Sequence, residues 1–193
     1  MRDLKIPARA LAILSLCAAP ALAQPAPANT PKRMALTSYS FKDGDIIPDK
    51  YTQASEAVPD SPELSWTGVP AGTQSFALIV DDPDTALQKT TNEVLHWGAF
   101  NLPGTMNALP EAIPDSAKLP DGTIQIMNTA HQVGYLGPGA PCCVYHHYTF
   151  QLYALDTKLS LGPDATRAQI MGAMNGHILA KAVLVGRFHK PMK

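Results

Sequence analysis

Beyond residue 33 the chain is a series of short apolar runs separated by connections rich in proline and glycine, the pattern of a β protein. Leu36 to Phe41 alternates and predicts an opening strand, closed by an Asp43-Gly44 turn. Ser75 to Asp82 contains the solid apolar run Phe76-Ala77-Leu78-Ile79-Val80, which predicts a strand buried on both faces. Val94 to Leu102 predicts another. Simple alternation there puts His96, Gly98 and Phe100 on one face and Trp97, Ala99 and Asn101 on the other. His146 to Leu155 is the clearest strand, with His146, Tyr148, Phe150, Leu152 and Ala154 sharing a side. Helical spacing occurs at Ile170, Ala173 and Met174, between an Asp164 cap and an Asn175-Gly176 stop. A last strand is expected from Ala180 to Phe188. Many strands and one late helix predict a mainly antiparallel β-sandwich in a single domain, residues 34–193.

The first residues have a different character. Arg2, Lys5 and Arg9 precede an apolar run, Ala10 to Ala19, that is too short to span a bilayer, and Ala21-Leu22-Ala23 fits a cleavage site. Residues 1–23 therefore predict a signal peptide and an exported, periplasmic or secreted protein; an uncleaved anchor is the competing reading. Gln24 to Arg33 is a Pro/Ala/polar leader. No later segment is long and apolar enough to cross a membrane, so stable membrane insertion is not expected after cleavage. The formal net charge of -1 argues against nucleic acid as a partner. Removing the leader takes Cys17 and leaves the adjacent pair Cys142 and Cys143. Adjacent Cα atoms lie closer than an ordinary disulfide prefers, so two packed free thiols are expected.

Candidate chemistry collects at strand ends. Asp82-Pro83-Asp84 ends the buried strand, His96 lies on the next, and a loop holds Gly134, Gly137, Pro138, Gly139 and Pro141 before His146 and Tyr148. His146 and Tyr148 share a face, so an imidazole and a phenol can converge on one anion. The glycines allow backbone N–H groups to form an anion nest, and the prolines stiffen the loop. Asp82 is the expected partner of His96, fixing its tautomer and raising its basicity. Alone, each feature has a plainer reading: Asp82 and Asp84 around Pro83 make a turn, and Trp66, Trp97 and Tyr153 are core residues.

Their joint order resembles a known family. Ser61-Pro62-Glu63-Leu64-Ser65-Trp66-Thr67-Gly68-Val69-Pro70 is followed by Ser75 to Asp84, His96-Trp97, the 134–141 loop and His146-His147-Tyr148-Thr149-Phe150. This series resembles the phosphatidylethanolamine-binding protein (PEBP) family, most closely its bacterial YbhB/YbcL branch, also called Raf-kinase-inhibitor-like, from about Met34 to Phe188. The resemblance implies a large central sheet packed on a smaller one, with peripheral helices. It also implies a pocket for phosphate, phosphorylated headgroups or similar small anions, lined here by Asp82, His96, the 137–141 loop, His146 and Tyr148, with Asp84 beside it. The rim departs from the family pattern: Thr85-Ala86 follows Asp84, Ala140-Pro141 stands for a Pro-Pro pair, Cys142-Cys143-Val144-Tyr145 replaces a Gly-rich stretch one residue longer, and Asn128-Thr129-Ala130-His131 replaces Asn-Asp-Phe-Gly.

The leading expectation is therefore a binder of small anionic or phosphorylated ligands, with no catalytic group, metal or cofactor named by the sequence, and with an unidentified protein partner left open. Two alternatives stand beside it. One is a metal-dependent hydrolase drawing on His96, His146 or His147 and on Asp82 or Asp84, although no HExxH-type spacing is present. The other is an inhibitor acting through its surface on a protease.

Overall fold

A computed structural model describes residues 33–85 and 92–192. The predicted signal peptide, and the leader up to Pro31-Lys32, lie outside the described residues. Three short strands, β1 (Ala35–Thr37), β2 (Leu64–Thr67) and β5 (Ala108–Leu109), make a small antiparallel sheet in the order β1-β2-β5. The larger sheet has the order β6-β4-β3-β7-β8 and is antiparallel throughout. Its members are β3 (Ser75–Asp82), β4 (Val94–Pro103), β6 (Ile124–Gln125), β7 (His146–Leu155) and β8 (Ile178–Phe188). The fold is the expected mainly β sandwich. Strands β3 and β7 have the bounds read from the sequence, and β8 begins two residues earlier.

Apolar burial explains the central place of β3, in which every residue is buried. One of its faces meets the small sheet through Phe76, Leu78 and Val80 against Leu36, Leu64 and Trp66, joined by Trp97, Phe150 and Leu152. The other face packs Ala77 and Ile79 with Phe100, Ile126, Ile170 and Met174. Ile170 and Met174 belong to helix α1 (Arg167–Ala173) and its C-terminal cap. That helix is capped by Thr166 rather than Asp164: the Thr166 side chain accepts from the Gln169 N–H while Gln169 reaches back, a capping box. The outer edge of β8 is covered where Ile47 N–H donates to Arg187 O and Gly44 N–H to Val185 O.

Strand β4 breaks the simple alternation. Val80 pairs with Trp97 and Asp81 with Leu95, which leaves His96 as an extra residue. Ala77 pairs with Phe100 and Phe76 with Leu102, so Asn101 is extra as well, at φ 60°. Two β-bulges result. Leu95 and Trp97, two residues apart, consequently lie in opposite cores, as do Phe100 and Leu102. The expected grouping of His96 with Gly98 and Phe100 is thus corrected: the bulge turns His96 to the Trp97 side, where its ring meets Tyr148 edge-on at 4.9 Å.

Candidate functional site

Five pieces of chain meet around a cavity of about 180 Å³ at one end of the large sheet. Asp82 ends β3, Val94 and His96 come from β4, and His146 and Tyr148 open β7. Leu136, Gly139, Ala140 and Pro141 come from the loop before β7, and Gln53 follows a single 3-10 turn at Asp49–Tyr51. Asp82, His96 and Tyr148 are buried, while Gln53 and Pro141 stand exposed at the rim.

The carboxylate of Asp82 takes three local donors. It accepts from the Asp84 N–H at 3.0 Å, the Thr85 hydroxyl at 3.3 Å and His146 Nδ1 at 2.8 Å. Asp82 therefore orients His146, and the expected Asp82–His96 pair is corrected. His96 Nδ1 lies 2.7 Å from the Leu136 carbonyl oxygen. A carbonyl only accepts, so Nδ1 carries the proton and Nε2 is the remaining polar atom of the ring. Burial lowers the His96 pKa below its ordinary 6.5, outweighing the Leu136 carbonyl and the Asp82 charge, which both raise it. The ring is more weakly basic than the sequence suggests.

Tyr148 is held with its oxygen facing the loop. Gly139 N–H donates to it at 3.2 Å and Ala140 N–H at 3.0 Å. Those bonds occupy its acceptor positions and leave its own O–H as a donor. Burial pushes its pKa up to about 12, so it keeps that proton. The expected anion nest is corrected at Gly139, whose N–H serves Tyr148. Close packing instead requires a glycine at 137, and Gly134 takes a φ of 95°. A Cβ on Gly137 would strike Pro59 and the Thr52 backbone, and one on Gly139 would strike the Gln53 side chain.

Other predicted residues lie just outside the cavity wall. Asp84 turns to His147, accepting from its N–H at 2.6 Å and from Nδ1 at 2.9 Å. The His147 bonds hold the Asp84 carboxyl below its usual range against the opposing pull of burial. Gly137 and Pro138 offer their carbonyl oxygens to the Gln53 side-chain amide and main-chain N–H. Gln53 and Val94 line the cavity without having been singled out as site residues in the sequence; Gln53 lies far from the other motifs in an unpatterned turn. Among the described residues, no three His, Cys, Asp or Glu side chains gather as a metal site. Trp66, Trp97 and Tyr153 are buried core residues, as expected.

The expectation of free thiols is corrected: Cys142 and Cys143 form a disulfide. Both are exposed, directly after the lining residue Pro141, and Cys143 takes a φ of 110°, which is costly for a residue with a side chain. Neighbouring residues close almost no chain loop, so the bridge constrains the unfolded chain little.

A sequence profile described as phosphatidylethanolamine-binding protein matches residues 37–189, which includes every residue lining the cavity. The chain belongs to the phosphatidylethanolamine-binding protein family. Within the PEBP family it is 43% identical over 157 residues to a UPF0098 protein of Methanothermobacter thermautotrophicus, covering 81% of this chain and 99% of that one. It is 31% identical to the UPF0098 protein YbhB of Escherichia coli, covering 80% and 99%. Two solved structures share the PEBP fold. One is a phosphatidylethanolamine-binding protein homolog from Chlamydia trachomatis, with 37% identity and a TM-score of 0.72 over 82% of this chain and 99% of that one. The other is E. coli YbcL, with 30% identity and a TM-score of 0.72 at the same coverage. Membership of the PEBP family fits a protein that binds a small ligand.

Proposed function

We propose that the cavity binds a small oxyanion such as phosphate or a phosphorylated headgroup. The observation that carries this reading is the Tyr148 hydroxyl, which has its acceptor positions filled by Gly139 and Ala140 N–H and its own proton left to donate. His96 and His146 stand beside it, each with Nδ1 engaged and Nε2 remaining. Neutral, they accept a hydrogen bond from a protonated ligand oxygen; protonated, they donate to an anion. The volume of about 180 Å³ lies below the roughly 300–1,000 Å³ of pockets for drug-sized ligands, which suits a headgroup rather than a whole lipid.

Anion binding favours the protonated imidazole. The affinity for sulfate, whose charge is fixed, should rise as pH falls from about 8 to below 6, the region in which histidine protonates. Burial lowers the His96 pKa, so the rise should continue below 6.5 instead of levelling there. Isothermal titration across that range measures it, and an affinity flat with pH would sink the reading.

We also propose that the protein is exported, on the strength of the charged, apolar and Ala-Leu-Ala start. N-terminal sequencing of protein from the native host should find Gln24 first; a mature species that retains Met1 would exclude it.

A further inference from the structure

The cavity wall carries little positive charge of its own. Asp82 contributes a carboxylate, which a protonated His146 only neutralises. His96 is held towards its neutral form by burial, and Tyr148 keeps its proton. A doubly charged anion here would gain from a cation outside the wall.

The chain supplies one after β8. Past Phe188 the backbone crosses the loop before β7, and Lys190 N–H donates to Ala140 O at 2.9 Å. The Tyr145 and His189 rings pack with centroids 4.3 Å apart and brace this crossing. Lys190 Nζ then donates to Gln53 Oε1 at 3.2 Å. Gln53 is itself clamped, its N–H on Pro138 O at 2.8 Å and its side-chain amide on Gly137 O at 3.0 Å. Both Gln53 and Ala140 line the cavity. Among the described residues, Lys190 is the one lysine or arginine that hydrogen-bonds to a lining side chain, and no carboxylate lies within 4 Å of its Nζ. An ammonium has three donors, and the bond to Gln53 uses one.

We propose that Lys190 is a specificity-determining residue of this cavity, where its ammonium group, positioned at the rim by Gln53, selects a doubly charged oxyanion such as a terminal phosphate monoester over a singly charged one such as a phosphate diester. The inference rests on the anion reading above. Coulomb attraction scales with ligand charge, so a dianion gains twice what a monoanion gains from the same ammonium. Hydrogen bonding to Gln53 alone would give no such discrimination, because a glutamine at position 190 can keep that bond.

The test compares sulfate, a dianion, with methanesulfonate, a monoanion bearing the same oxygen head, by isothermal titration at one pH. Lys190→Gln should weaken sulfate about five- to tenfold and methanesulfonate about two- to threefold, and should flatten the salt dependence of sulfate binding. Lys190→Arg should retain the wild-type preference. Equal losses for the two anions, no loss for sulfate, or a Lys190→Arg variant that behaves like Lys190→Gln would overturn the inference while leaving the anion reading in place. A wild-type protein that binds neither ion would remove the anion reading itself, and the role of Lys190 with it.

Discussion

Arg167→Ala should cost about 3–5 kcal/mol of folding stability, the range for stripping one partner from a buried ion pair. Asp81 is completely buried on the sheet face opposite Asp82. The Arg167 guanidinium grips its carboxylate with Nε at 3.0 and 2.9 Å and Nη2 at 2.7 Å, and also reaches Glu93 at 2.9 Å. Burial still pushes the Asp81 pKa up to about 6, against the lowering pull of Arg167. Because the folded value lies above the ordinary 3.8, the folded protein takes up this proton before the unfolded chain does. The cost of the buried charge is therefore full above pH 6 and is relieved as pH falls towards 4. In Arg167→Ala the carboxyl loses its cation, so the deficit should be largest at pH 7–8 and should narrow at pH 5. Denaturant titration at the two pH values measures this. Adding Asp81→Asn should recover part of the loss at pH 7; a double variant no more stable than Arg167→Ala alone would show that the pair contributes through packing rather than charge.

The second large effect concerns the cavity. At the acidic end of the sulfate titration, where the His96 ring is protonated and Nε2 donates, His96→Ala should weaken sulfate binding by about 1.5–3 kcal/mol, or roughly tenfold to 150-fold, the range for hydrogen bonds to a charged group. It removes a buried ring whose orientation is set by the Leu136 carbonyl and by edge contact with Tyr148. His147→Ala is the matched control. That ring is exposed, pairs with Asp84 and does not line the cavity, so sulfate affinity should be unchanged. Equal losses in both variants, or none in either, would place the anion elsewhere on the protein.

Much of this architecture is legible in the residues. The bounds of β3 and β7 follow from an unbroken apolar run and a clean alternation, because burial on two faces, or on one, leaves those patterns directly. Strands β2, β5 and β6 are two to four residues long, too short for any period to declare itself, and β1 at Ala35–Thr37 takes up only the start of the Leu36 to Phe41 alternation. Asp82, His96, Gly139, Pro141, His146 and Tyr148 do surround one cavity. Their pairing was not legible. Which histidine meets Asp82 depends on cross-strand register and on the extra residue in β4, and neither leaves a compositional mark. The same holds for the neighbours Asp81 and Asp82, which differ only in strand parity, one facing Arg167 and the other the cavity. Gln53 and Lys190 reach the rim through turns at distant points of the chain, where sequence spacing has nothing to report.

The bulge at His96 makes the cavity depend on how many residues β4 contains as well as on which they are. Removing one residue beside His96 would restore strict alternation there, and a slip of one residue reverses the facing of everything beyond it. A relative could therefore keep its histidines, its Asp-Pro-Asp turn and its glycine loop, yet have no cavity at all if β4 were one residue shorter. When two such chains are aligned, a single gap in this strand says more about shared ligand binding than their percentage identity does.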